Sequence, residues 1–189
     1  ALESLTRLFR SVGAFEVAFD SFDVRRLPPA VPGARPSRQR HEYLVELAAD
    51  PETQLRNFGE THRRHARRGE REGWRLLRPG AERAAEVLAL VTEEASSRAA
   101  RRGARFDPAA LGPGDLTQTS LEEPEGLATF AAEAGGTCLS AIRVGWAGRR
   151  GYGLVGGSSP EGYRVGAAVW LHWKVMATLV QAGITAYNL

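Results

Sequence analysis

The final third of the chain, from Thr137 to Leu189, narrows the available folds more than any other stretch. TCLSAIRVGW and GYGLVGG are strand-like runs on either side of a short Ala147-Gly148-Arg149-Arg150 turn, so they predict an antiparallel hairpin. The run SSPEGYRVGAAVWLHWKVMATLVQAG then predicts a long helix, and ITAYNL a returning strand. A strand that ends in Gly156-Gly157-Ser158-Ser159 just before a helix aims unpaired backbone N–H groups at one place, where an anionic ligand can be held.

The upstream sequence supplies the other elements. His41 to Leu47 reads as a strand, and Asp50-Pro51-Glu52 then provides an N-cap, a proline at the first helical position and an early acid. That helix is expected to run from Asp50 to Glu72, with Gly73 as its stop. Trp74 to Arg78 is a short strand, and Ala81 to Arg102 a helix closed by Gly103. Phe106 to Glu122, with Pro108, Gly112, Pro113 and Gly114, is a surface loop, and the alanine-rich stretch Pro124 to Ala134 reads as a helix ahead of Gly135-Gly136. The order of elements predicts an α/β fold, a mixed sheet flanked by helices. Ala1 to Arg10 (helical) and Ala14 to Asp20 (a half-buried strand) look like pieces of a larger unit. Arg25 to Arg40, with Pro28, Pro29, Pro32 and Pro36, reads as a linker. The expected division is therefore an N-terminal remnant and Pro/Arg-rich linker over 1–40, and the main domain over 41–189.

Composition excludes several classes. No apolar run approaches the length of a membrane span, and the single cysteine, Cys138, rules out an internal disulfide and a cysteine metal cage. A reducing cytoplasm fits that usage. The net charge of +3 is uneven: seven arginines between Arg56 and Arg75 face only Glu60, Glu70 and Glu72, which concentrates the positive charge in one patch.

Each candidate motif has two readings. The glycines of Gly151 to Gly157 mark either a bend packed under a helix or the close approach of a ligand. Small residues in Tyr163-Arg164-Val165-Gly166-Ala167-Ala168 suit either helix-on-sheet packing or anion binding at a helix start. Arg63, Arg67 and Arg71 recur every four residues, with Arg64 and Arg68 widening the face, as a solvated surface or a phosphate contact does. His62 and His65 lack a third metal ligand and read as packed or capping residues; no metal is expected. His172 falls on the apolar face of its helix and reads as a core histidine, and Trp170 and Lys174 as a stacked pair.

The basic run RRHARRGEREGW, the strand ending GSSP, and the helix ending AG before Tyr187-Asn188-Leu189 together resemble the GNAT acyltransferase superfamily over about Tyr43 to Leu189, especially its branch of Fem-type peptidoglycan-bridge aminoacyltransferases. The resemblance implies an enzyme that transfers an acyl or aminoacyl group to an amine, with no permanently bound cofactor. Acyl-CoA-dependent members carry Gln or Arg where this chain has Tyr163. Fem-type relatives are similar in lacking that pyrophosphate loop, and they take the acyl group from aminoacyl-tRNA. The absence of a coiled-coil arm keeps an acyl-CoA-dependent N-acetyltransferase open. So does the basic helix for a non-catalytic lobe that binds RNA or a cell-wall precursor. On this resemblance Tyr152, Gly156, Ser158, Ser159, Arg164 and Gly166 are expected to contact the donor, and Arg63, Arg64, Arg67 and Arg68 its phosphates. No catalytic base is assigned. The family's acid-supplying tyrosine lies beyond the strand at Leu189, so the domain is expected to be truncated at its C-terminus.

Overall fold

The computed structural model describes residues 43–105, 118 and 120–189. The expected helix at 1–10, strand at 14–20, linker at 25–40 and most of the loop at 106–122 lie outside the described residues. Glu42–Leu189 forms a compact unit of its own.

The described chain builds one six-stranded sheet in the order β1-β6-β5-β4-β3-β2. Its strands are β1 (Leu44–Glu46), β2 (Arg75–Leu77), β3 (Glu125–Ala134), β4 (Thr137–Ala147), β5 (Arg150–Ser158) and β6 (Ala186–Asn188). Only β5 and β6 run parallel; every other pair is antiparallel. The helices are α1 (Pro51–Arg56), α2 (Glu60–Arg71), α3 (Ala84–Arg101, entered through a 3-10 turn at Ala81–Arg83), α4 (Pro160–Val165) and α5 (Ala167–Gln181). The parallel pairing of β5 and β6 follows from the α4–α5 crossover between them, because a tight turn can only reverse the chain.

Three expected elements are corrected. The helix expected over Asp50–Glu72 is two helices. Asp50 caps α1 as anticipated, accepting from the amides of Glu52 (3.3 Å) and Thr53 (2.8 Å), but the chain turns through Asn57-Phe58-Gly59. Arg63 closes that turn by donating to the carbonyls of Arg56 and Phe58. The helix expected over Pro124–Ala134 is strand β3, hydrogen-bonded to β2 on one side and β4 on the other. Alanine's helix propensity is worth only tenths of a kcal/mol per residue, and two ladders override it. Gly135 (φ 55°) and Gly136 (φ 83°) make the two-residue hairpin turn that a right-twisted ribbon prefers. The long C-terminal helix is also split. Gly166, at φ 75°, ends α4 and starts α5.

The two sheet faces carry cores of different grain. On one, α5 lays Trp170, Leu171, Val175 and Leu179 against Phe130, Ile142, Val144 and Trp146. Fully burying a large apolar side chain is worth about 1.5–3 kcal/mol, so this face holds most of the fold's stability. On the other, α3 sets Val87 and Leu90 on Ala131, Cys138 and Ala141. The small strand residues let α3 come close: a side chain on Gly157 would strike the backbone of Leu90. Helix α2 packs on α5, where Glu70 accepts from Trp170 Nε1 (2.7 Å) and pairs with Lys174 (3.3 Å). Lys174 sits over the rings of Trp170 and Trp173, as the sequence spacing anticipates. Among the described residues no helix is long and apolar enough to cross a membrane.

Candidate functional site

Strand β5 has two different halves. Its first residues pair with β6 at Arg150↔Ala186, Gly151↔Tyr187 and Tyr152↔Asn188. From Gly153 to Ser158 it pairs with β4 alone, and among the described residues no strand covers the opposite edge. A bulge at Leu154 separates the two halves: Val144 faces Gly153 and Arg143 faces Val155, which leaves Leu154 without a cross-strand partner and 52% exposed.

Register decides which amides the open edge presents. Ser159 N–H donates to the Leu139 carbonyl (3.0 Å), so 139/159 is a hydrogen-bonded pair. Antiparallel alternation then makes 141/157 and 143/155 bonded pairs and turns the N–H and C=O of Gly156 and Ser158 away from β4, toward the open edge. This edge borders a cavity of about 550 Å³. Its walls are Gly153–Ser158 of β5, Gly162, Tyr163, Gly166, Ala168, Val169 and His172 of α4 and α5, Thr61, His62 and His65 of α2, and Glu94 and Arg98 of α3.

Two histidines lie in these walls in different states. His172 is half-buried, with Nδ1 3.3 Å from the Tyr187 hydroxyl, and burial pushes its pKa down to about 4. It is neutral at physiological pH. Tyr187 is fully buried and burial raises its pKa, so the phenol stays protonated beside the ring. His65 is held by Nδ1, 3.0 Å from the carbonyl of Val165 at the end of α4. Its ring occupies the place that a side chain on Gly166 would take. On α3, Glu94 accepts from Arg98 Nε at 2.8 Å. Among the described residues no cluster of metal-ligand side chains occurs.

The residues singled out by sequence fall into two groups. Gly156, Ser158 and Gly166 line the cleft. The Ser158 hydroxyl donates to Ser140 Oγ (2.9 Å), which donates on to the Gly157 carbonyl (3.1 Å), so Ser158 offers the cleft its amide. Tyr152, Ser159 and Arg164 stand outside the lining. Tyr152 lies in the β6-paired half of β5, and Ser159 caps α4 by accepting from Gly162 N–H (3.0 Å). Arg164 is engaged by both carboxylate oxygens of Glu161 (2.7 and 2.6 Å). None of Arg63, Arg64, Arg67 and Arg68 lines the cleft. Arg63 closes the α1–α2 turn, Arg67 pairs with Glu52 and Arg68 with Glu72, whereas Arg64 is exposed. Arg64 holds no hydrogen bond or ion pair among the described residues.

Sequence reading missed Glu94, Arg98 and Leu154 as cleft residues. Only the sheet register and the seat of α3 bring the first two to β5, and no local pattern encodes that. His65 was legible as a capping residue, but its place on the cleft depends on the α4–α5 break at Gly166.

A protein-family model described as an acetyltransferase (GNAT) domain matches residues 56–189. Among solved structures, FemX superposes with a TM-score of 0.60 at 13% identity, over 78% of this chain and 52% of that one. The C-terminal domain of a putative lysylphosphatidylglycerol synthetase from Agrobacterium fabrum gives a TM-score of 0.43 at 17% identity, over 78% of this chain and 45% of that one. This chain thus spans about half the length of each. No curated protein matches it.

Proposed function

The chain belongs to the acetyltransferase (GNAT) domain family, and on that premise we propose that its cleft transfers an acyl or aminoacyl group from an activated donor to an amine. The observation that carries the reading is the open half of β5, with the Gly156 and Ser158 amides directed into the cavity. A donor lying along this edge presents its ester or thioester carbonyl to those amides, which stabilise the negative charge that develops on oxygen as the amine attacks. The amine nitrogen forms a bond to the acyl carbon, and the C–O or C–S bond breaks. Holding both substrates in one cleft supplies a further part of the rate.

The donor favoured is aminoacyl-tRNA, in the Fem-like manner, with an amine of a peptidoglycan precursor as acceptor. Tyr163, at the first position of the segment before α5, supports this over acyl-CoA because it replaces the residue expected of a pyrophosphate loop. Both donors are made inside cells, which is the basis for a cytoplasmic setting. A second reading, a non-catalytic lobe that binds RNA or a cell-wall precursor, has its support in the exposed Arg64 and Arg71.

The test is turnover by the purified protein. The chain is incubated with bulk tRNA charged with labelled amino acids, or with labelled acetyl-CoA, in the presence of a lysine-containing stem peptide. A labelled amide formed from the charged tRNA is the expected result. Amide from acetyl-CoA alone shifts the donor. Salt-sensitive tRNA binding with no amide from either donor favours the second reading.

A further inference from the structure

We infer that His65 is the group that takes the proton from the acceptor amine, with Nε2 as the accepting atom. The inference rests on the acyl-transfer reading and deepens it, because that reading leaves the base unassigned.

The geometry fixes the tautomer. A carbonyl oxygen can only accept, so the 3.0 Å contact between Nδ1 and the Val165 carbonyl places the ring proton on Nδ1. In the neutral ring Nε2 then carries the lone pair. Nε2 has no partner among the described residues, and the ring lines the same cavity as the Gly156 and Ser158 amides. Packing keeps it there. Gly166 leaves the space the ring fills, and α2 and the α4–α5 junction hold it from two sides.

The other candidates on this cavity suit the step less well. His172 is committed to Tyr187, and a ring that protonates only near pH 4 is a weak acceptor for an ammonium proton. Glu94 is committed to Arg98. The acceptor ammonium gives one proton to Nε2, and the neutral amine attacks the acyl carbon. The second amine proton leaves with the departing alkoxide or thiolate, and His65 returns its proton to water.

The bland alternative is that His65 only caps the last carbonyl of α4. His65→Asn separates the two roles, because its amide N–H reaches the same carbonyl while the side chain cannot accept a proton at neutral pH. With charged tRNA or acetyl-CoA and the stem peptide, H65N is expected to lose on the order of 10²- to 10⁴-fold in kcat with KM little changed. His65→Ala should regain turnover on addition of free imidazole.

Titratable and charged groups that share the cavity lining with the ring are His62 on α2, Tyr163 on α4, His172 on α5, and Glu94 and Arg98 on α3. Full turnover in H65N, or an H65A variant that folds but is not rescued by imidazole, overturns the inference. If the wild type turns over neither donor, the acyl-transfer reading fails on its own. Nitrogen-15 NMR of the histidine rings still decides the tautomer: an Nε2–H ring at His65 overturns the inference, and an Nδ1–H ring is its expected result.

Discussion

His172 shows how one half-buried side chain contributes to the acid stability of this fold. Its pKa falls from the ordinary 6.5 to about 4 because burial penalises the imidazolium, so the unfolded state binds a proton that the folded state refuses. Stability is then full above pH 6.5 and is lost as pH falls toward 4, by on the order of 3 kcal/mol across the window. The lowered carboxylates Glu72, Glu86 and Glu161 also lose stability in acid, but only below the ordinary carboxylate range. Urea unfolding at pH 7 and pH 4.5 is expected to show a marked loss in the wild type and a smaller one in His172→Asn, which keeps a polar partner for Tyr187. A second residue-scale prediction concerns Gly166. Its φ of 75° is strained for any side chain, and a methyl group there meets the His65 ring, so Gly166→Ala should cost about 1–3 kcal/mol in urea unfolding.

At the scale of elements, Glu133 ties three pieces together. On β3 it is nearly buried, and its two oxygens take Arg75 of β2 (2.9 Å) and Arg83 of the 3-10 turn before α3 (2.6 Å). Glu133→Ala should destabilise the fold by about 3 kcal/mol, the low end for a buried pair, because Arg83 keeps Glu86. The strand that carries Glu133 is also the element that sequence reading mistook for a helix. GLATFAAEA is rich in helix formers, and its strand identity rests on β2 and β4, whose pairing no local pattern announces. The Gly135-Gly136 turn was the available signal, since two adjacent glycines between apolar runs mark a tight hairpin. The β4–β5 hairpin was legible because both runs are β-rich and share a glycine turn. The break after α1 was half legible: Asn57 and Gly59 are turn residues, yet Arg56 stands about two helical turns before Arg63, so the basic face reads as unbroken. The cleft was legible only as far as Gly156 and Ser158 of β5 and Gly166 at the α4–α5 break. Its remaining walls come from α2 and α3, whose seats depend on packing that appears only once the sheet is assembled.

For the whole molecule the proposed acyl transfer turns on its donor, and linkage tests that donor without turnover. A ligand at 100 times its Kd stabilises the folded state by about 2.7 kcal/mol, which raises Tm by roughly 5–11 °C for a domain of this size. Acetyl-CoA and uncharged tRNA are therefore expected to separate in a thermal-shift titration, with tRNA giving the larger shift if the Fem-like reading holds. Salt then tests the proposed tRNA contact. Arg64 and Arg71 are exposed and hold no hydrogen bond or ion pair among the described residues, whereas Arg63, Arg67 and Arg68 are engaged within the protein. If only the two exposed guanidinium groups meet phosphates, raising salt from 50 to 200 mM should weaken binding roughly tenfold. Recruiting the other three as well would make the loss several-hundredfold by the same relation, on the order of 500-fold. Exposed ion pairs are worth at most about 1 kcal/mol, so phosphate can compete for Arg67 and Arg68, but Arg63 would have to leave the turn that joins α1 to α2. The expected slope lies between the two limits, near four contacts, with Arg64→Gln and Arg67→Gln each lowering it by about one. A flat salt response with full tRNA affinity would remove this face from the binding surface.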